Sequence, residues 1–199
     1  VEDPSSVSVG PTLRELADPR IRHVANERPT SLVERLNLGL GLARAPFVAR
    51  MDADDVALPE RFERQVSFLD AHPEVVAIGT HALCIDADGD AIAPTAKPLD
   101  HEEIDRRHLA PGCGGSMITH PTVMLRRRAA LEAGGYRPEA VLVDDLDLFL
   151  RLAERGRLAN LPDVLLHYRI HPESVGVSRR ADQLRAVARV VREACQRRG

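Results

Sequence analysis

The stretch FVARMDADDVALPERFERQ, Phe47 to Gln65, sets three carboxylates, Asp52, Asp54 and Asp55, between an apolar run and a Pro-Glu-Arg step. Like charges so close repel one another, and a cation, a helix terminus or water must offset them. Asp52 and Asp54 are two apart, so in extended chain they point the same way. Hard oxygen ligands in that arrangement suit Mg²⁺ or Mn²⁺, ions that usually hold phosphates as well. The competing reading is a solvated acidic loop that caps a helix opening at Pro59. An EF-hand is excluded, because the loop's sixth position needs Gly and Ala57 stands there. The turn DADGD, Asp86 to Asp90, fails the same test with Ala91 and reads as a plain hairpin.

Further groups could do chemistry. VLVDDLDLFLRL opens a helix with Asp144, Asp145 and Asp147; on the residues alone these are ordinary N-terminal helix charges. His171 follows a strand and is either a metal ligand or a structural residue, with His167 four residues earlier as its rival. His120 follows a loop opened by Gly112, Gly114 and Gly115, whose freedom allows close backbone approach. That loop lines a site or is plain surface.

Alternating elements must position these groups. Pro11–Leu16 reads as a short helix, Ile21–Ala25 as a strand candidate, and Ser31–Arg44 as a helix with Leu32, Leu36, Leu40 and Ala43 on one face. Phe47–Met51 is a short strand, Pro59 opens a helix, and Val75–Ile85 is a strand that turns at Asp86–Asp90 into Ala91–Ala93. Thr122–Leu125 and Val164–Ile170 are strands, Asp144–Arg155 is a helix apolar nearly all round, and Ala181–Gln196 is a final helix. The alternation predicts an α/β fold with a mostly parallel sheet, and ligands then bind beyond the carboxyl ends of strands, where Asp52–Asp55 lie.

Composition narrows the class. The chain has 199 residues, enough for one sizeable core, with 44% hydrophobic and 29% charged residues. A net charge of −3 excludes a nucleic-acid-binding polycation, and 3% aromatics without Trp exclude base-stacking platforms. Cys84, Cys113 and Cys195 form neither a disulfide framework nor a zinc knuckle. No apolar run reaches transmembrane length.

Several motifs in one order carry a resemblance. LNLGLGLARAPFVARMDADDVALPERFERQ, HPTVMLRR from His120 to Arg127, GGYRPEAVLVDDLDLFLRLAERG and NLPDVLLHYRIH keep their order from Leu36 to His171. The chain resembles the inverting, nucleotide-sugar-dependent family 2 glycosyltransferases of GT-A, Rossmann-like fold. The resemblance implies sugar transfer from a nucleoside diphosphate to a glycan or lipid-linked acceptor, with Mn²⁺ or Mg²⁺, in bacterial polysaccharide or glycolipid synthesis. It implies a cytoplasmic setting at the inner face of the membrane. Asp54 and Asp52 are then metal and donor ligands, His171 joins the metal shell, Asp55 caps the next helix, and Asp145 is the general base. Asp144 replaces the family's usual Glu. His120 lines the acceptor or diphosphate side, and Asp3 matches the aspartate that contacts the nucleobase.

The resemblance also implies that the family's first strand and helix precede Val1, leaving the donor domain N-terminally truncated here. Residues 1–177 are expected to form the glycosyltransferase domain, and 178–199 a basic amphipathic helix making at most weak peripheral membrane contact. Two alternatives are weighed: a haloacid-dehalogenase-like phosphatase with Asp52 as nucleophile and Lys97, the one lysine, in support; and a non-catalytic, truncated nucleotide-sugar-binding module.

Overall fold

A computed structural model describes residues 1–5, 8–171 and 179–199. The expected boundary between 177 and 178 lies outside them. The chain forms two compact units, Val1–Arg44 and Ala45–Gly199.

In the first unit, helix α1 spans Gly10–Glu15 with Pro11 in its first turn, and α2 spans Leu32–Leu42. Ser31 and Glu34 start α2 with a capping box: the Ser31 hydroxyl accepts from the Glu34 N–H (3.2 Å) and the Glu34 carboxylate from the Ser31 N–H (2.7 Å). Ile21–Ala25 is not a strand. Among the described residues its ladder contact is a single parallel bridge between Glu2 and Ala25, made by the Glu2 N–H on the Val24 carbonyl and the Asn26 N–H on the Glu2 carbonyl (2.8 Å each), which is too short a pairing to make a strand.

The second unit is a sheet with helices against it. Its elements run β1 (Phe47–Ala49), β2 (Val56–Ala57), α3 (Arg61–Ala71), β3 (Val75–Ile85), β4 (Ala91–Pro94), α4 (His101–Leu109), β5 (Met124–Arg126), α5 (Arg127–Glu132), α6 (Asp144–Leu152), β6 (Arg157–Arg169) and α7 (Arg180–Arg198). The sheet order is β1-β5-β3-β6-β2, with β4 paired to the far end of β3. The α/β class and the mixed sheet are as expected, but the pairing is not mostly parallel. Among the described residues only β3 and β6 run parallel; the other pairs are antiparallel. Alternation of strand and helix does not fix direction: β4 returns through a hairpin, and β5 runs against both β1 and β3.

The hairpin at Asp86–Asp90 is built as the sequence predicts. Asp86 Oδ1 accepts from the N–H groups of Asp88, Gly89 and Asp90, and Gly89 takes φ +96°. The first half of β3 is buried on both faces, and Leu146, Leu148, Phe149, Leu150 and Leu152 of α6 are fully buried. Helix α7 lays Val187, Val190 and Ala194 on Leu146 and Leu150 of α6.

Candidate active site

The aspartate turn follows β1 because two buried polar side chains hold its backbone. Arg61, 1% exposed, donates from Nη2 to the Arg50 carbonyl (2.8 Å) and from Nε to Gln65 Oε1 (3.1 Å). Gln65 donates to the carbonyls of Ile78 (3.1 Å) and Thr122 (2.8 Å). Burial pushes the Arg61 guanidinium down to about 10. These contacts explain Arg61 and Gln65 of LPERFERQ as ties between strand ends.

Beyond Arg50 the three carboxylates part. Asp52 is paired with the Arg50 guanidinium. Asp54 Oδ2 lies 3.4 Å from His171 Nε2, which β6 delivers from its end. Asp55 turns inward: Oδ1 accepts from the Arg169 N–H (2.9 Å), and Oδ2 is buried with no partner among the described residues. Burial first, then the Asp52 and Asp54 charges, push its carboxyl up to about 6. Asp55 therefore does not cap α3; Glu60 stands at that N-cap. Arg169 fastens the turn, donating to the carbonyls of Asp54 (2.9 Å), Asp86 (2.8 Å) and Ala87 (2.9 Å). His167 instead sits in β6 in register with Val56 of β2.

The donor set fits a cation only in part. Among the described residues, no three His, Cys, Asp or Glu side chains gather as one site. Asp54 and His171 converge as an oxygen and a nitrogen donor, with Asp52 two residues from Asp54. Such a set suits Mn²⁺ or Mg²⁺ that keeps most of its shell for phosphate oxygens and water.

The second acidic group opens α6, whose N-cap, Val143, follows Leu142 at φ +75°. That angle is strained for a γ-branched residue. Asp144 is 8% exposed, and its Oδ2 has no partner among the described residues. Asp145 is half-buried. Desolvation raises both carboxyls above the usual range, and the Asp144 charge raises Asp145 further. A helix N-terminus favours the ionised form by about 0.3–1 kcal/mol; here burial wins. Asp147 does different work, accepting from Arg151 (2.6 and 3.0 Å) and pairing with Arg137.

His120 faces inward from a 3₁₀ turn, with Nε2 3.0 Å from the Tyr136 hydroxyl and its ring edge-on to Phe149. Burial and the Arg50 charge hold the imidazole well below its ordinary value, so it is neutral. The preceding glycine loop is tied down by Arg180 on the Gly114 carbonyl (3.0 Å), Lys97 Nζ on the Ser116 carbonyl (3.0 Å) and His108 on the Met117 N–H (2.8 Å). Lys97 thus serves the loop, and its neighbouring charges include Asp145 and the thiols of Cys113 and Cys84. Sequence reasoning passed over Arg50, Tyr136 and Arg169. Arg50 was readable: it precedes Asp52 by two residues and shares its side of an extended chain.

In the first unit, Asp3 accepts from Asn26 Nδ2 (2.7 Å), the Thr30 N–H (2.8 Å) and Thr30 Oγ1 (2.8 Å), and pairs with Arg35. These bonds hold its carboxyl far below the usual range, and they use the roughly four acceptor sites a carboxylate has. Beside it, Ala25, Asn26, Glu27, Arg28 and Thr30 line an open depression of about 560 Å³.

Residues 1–135 match glycosyl transferase family 2, and the chain belongs to that family. It is 35% identical over 156 residues to the amylovoran biosynthesis glycosyltransferase AmsE of Erwinia amylovora, covering 77% of this chain and 56% of that protein. It is 32% identical over 165 residues to the putative glycosyltransferase EpsE of Bacillus subtilis, covering 81% and 56%. The O-antigen biosynthesis glycosyltransferase WbnJ of Escherichia coli is 32% identical over 142 residues, covering 70% and 53%. The chain thus spans a little over half the length of these relatives. In fold it is similar to a mannosyltransferase of Pyrobaculum calidifontis solved with GDP-mannose and Mn²⁺. That match has a TM-score of 0.66 at 20% identity, over 96% of this chain and 54% of that one. Family membership leaves the phosphatase alternative without support. No helix among the described residues is long and apolar enough to cross a membrane.

Proposed function

We propose that the chain carries the metal- and acceptor-binding part of a glycosyltransferase that moves a sugar from a nucleoside-diphosphate donor to an acceptor hydroxyl, with inversion, in the synthesis of a surface polysaccharide or glycolipid. The observation that carries this reading is the pairing of two unlike acidic groups in one unit. One is polar and half-open, with Asp54 beside His171; the other is desolvated, with Asp144 and Asp145 at the start of α6. The first suits a donor diphosphate and the second an acceptor proton.

Asp54, Asp52 and His171 would hold the cation, which when bound neutralises charge developing on the leaving diphosphate. Asp145 takes the acceptor proton as the acceptor oxygen bonds to the anomeric carbon and the bond to the diphosphate breaks, so the configuration inverts. A raised carboxyl is a stronger base once ionised. Asp144 shapes the approach, and His120, neutral, lines the acceptor side through Tyr136. Asp3 borders the base-binding region, where a nucleobase must compete with its internal bonds. Residues 1–177 are read as the transferase domain and 178–199 as a helix on its surface, working at the cytoplasmic face of a membrane on glycan or lipid-linked acceptors. Incubation of the full chain with a panel of nucleotide sugars and Mn²⁺, with and without chelator, tests the reading. Metal-dependent turnover or donor hydrolysis is expected; no nucleotide-sugar binding under any condition would refute it.

A further inference from the structure

The hairpin between β3 and β4 has no task in the reaction above, yet one side chain ties it to the aspartate turn. In the sheet, β6 lies between β3 and β2. Its last residue, Arg169, is in register with Ile85, where β3 ends and the hairpin begins. On the other side β2 pairs with β6 through Val56–His167 and Ala57–Leu166, so this ladder ends beside Asp55 and leaves the turn at 52–55 beyond it. Arg169 spans the gap. Its N–H donates to Asp55 Oδ1 (2.9 Å) and its Nε to the Asp54 carbonyl (2.9 Å), while Nη1 reaches the Asp86 (2.8 Å) and Ala87 (2.9 Å) carbonyls on the hairpin. A charged donor makes the stronger kind of hydrogen bond, and a planar guanidinium fixes the directions of its N–H groups relative to one another. The hairpin carbonyls therefore dictate where the Asp54 carbonyl sits.

Those hairpin carbonyls are set in turn by one side chain. Asp86 Oδ1 accepts from the N–H groups of Asp88 (3.0 Å), Gly89 (3.0 Å) and Asp90 (2.9 Å), and the Asp86 N–H donates to the Asp90 carbonyl (3.0 Å). We propose that Asp86 and Arg169 are positioning residues of the donor site: Asp86 sets the hairpin, the hairpin aims the Arg169 guanidinium, and Arg169 sets the turn that carries Asp52 and Asp54. That this turn meets a donor rests on the glycosyl-transfer reading. A substitution in a hairpin whose tip, 87–90, is exposed then reaches the donor without touching it. The agent is the acceptor oxygen of Asp86 rather than its charge, and the amide oxygen of Asn offers the same acceptor.

Hydrogen exchange of the full chain without ligand, and calorimetric titration with UDP and with GDP, each with Mn²⁺, test the inference. Asp86→Ala should speed exchange over residues 52–57 and weaken nucleotide binding by about 2- to 30-fold. Asp86→Asn should stay native in both. Arg169→Met keeps the apolar stem and removes the donors; it should show both changes, and adding Asp86→Ala to it should extend neither. Native exchange over 52–57 or native affinity in Asp86→Ala overturns the inference, as does Asp86→Asn behaving like Asp86→Ala. Where Asp86→Ala does not fold, Arg169→Met decides in its place, and native exchange over 52–57 there overturns it equally. Nucleotide binding that is the same in the native chain and the variants refutes this positioning role alone; no binding of either nucleotide by the native chain refutes the functional reading and the donor-site role with it.

Discussion

His108 makes the stability of the second unit depend on pH, and the size of the effect follows from its surroundings. The ring is fully buried on α4. Nε2 accepts from the Met117 N–H, so the ring proton sits on Nδ1, which has no partner among the described residues. A second proton would have to go on Nε2, setting donor against donor and charging a buried ring. Burial pushes the imidazole down to about 4; the Lys97 and Arg198 charges act the same way, and Asp105 opposes them. The unfolded ring titrates near its ordinary value of about 6.5. Between those values the unfolded chain binds more protons, so stability is full above the unfolded value and falls as pH drops toward the folded one. At about 1.4 kcal/mol per pH unit, the loss reaches about 2 kcal/mol near pH 5 and levels off at about 3 kcal/mol below pH 4.

Urea unfolding of the native chain and of His108→Gln, at about pH 7.5 and about pH 5, isolates this group. Glutamine offers Met117 an acceptor and does not titrate. The native chain should lose about 2 kcal/mol more than the variant on acidification, with unchanged denaturant slope. Equal losses in the two proteins would refute the argument and place the acid sensitivity elsewhere.

Asp145→Asn should lower turnover by roughly 10²–10⁴-fold and leave nucleoside diphosphate affinity nearly intact; near-native turnover would move the base to Asp144. Asp54→Ala should remove the metal dependence of nucleotide binding, and calorimetry giving equal native affinity in Mn²⁺ and in chelator would overturn the cation site. Gly79→Ala should cost about 2–4 kcal/mol in a urea titration, because the new methyl would lie 2.2 Å from Asn160 Oδ1 and displace an amide that serves the Pro98 and Met117 carbonyls. Liposome co-sedimentation should detect at most weak, salt-sensitive binding through α7; tight binding to anionic vesicles that survives high salt would refute this.

The α7 case marks where sequence reading stops. Along the chain its N-cap Arg179 and its six arginines, Arg180, Arg185, Arg189, Arg192, Arg197 and Arg198, meet only Asp182 and Glu193 in opposition. In the fold Arg197 pairs with Glu154, Arg198 with Asp105, and Arg180 and Arg189 bond the carbonyls of Gly114 and Glu139. Charge that reads as free for lipid is spent on the protein, through partners dozens of residues away. Periodicity did place α2, α3, β3, α6 and α7, because their apolar spacing is decided locally. It missed α4, whose HEEIDRRHL carries just Ile104 and Leu109 as large apolar residues and is started by the Asp100 side chain. It also missed the first half of β6, where Pro162 and Asp163 interrupt the pattern.

The site was legible for a related reason and illegible in a specific way. Charged residues that end strands stand out, so Asp52, Asp54 and His171 could be singled out without coordinates, whereas Asp144 and Asp145, at a helix start, were raised by the family resemblance alone. Their states could not, because three neighbouring carboxylates in one turn receive three environments. Asp52 is offset by Arg50, Asp54 faces His171, and Asp55 is buried against the Arg169 backbone with one oxygen lacking a partner among the described residues. The repulsion that the sequence poses is thus relieved mainly by geometry and neighbouring protein groups before any cation arrives. Only Asp54 and Asp52 retain the exposure to receive one, at 45% and 36% of their side-chain surface. A cation held by both, as proposed above, would displace Arg50 from Asp52 but no arginine from Asp54, so the two aspartates of the motif should contribute unequally to binding.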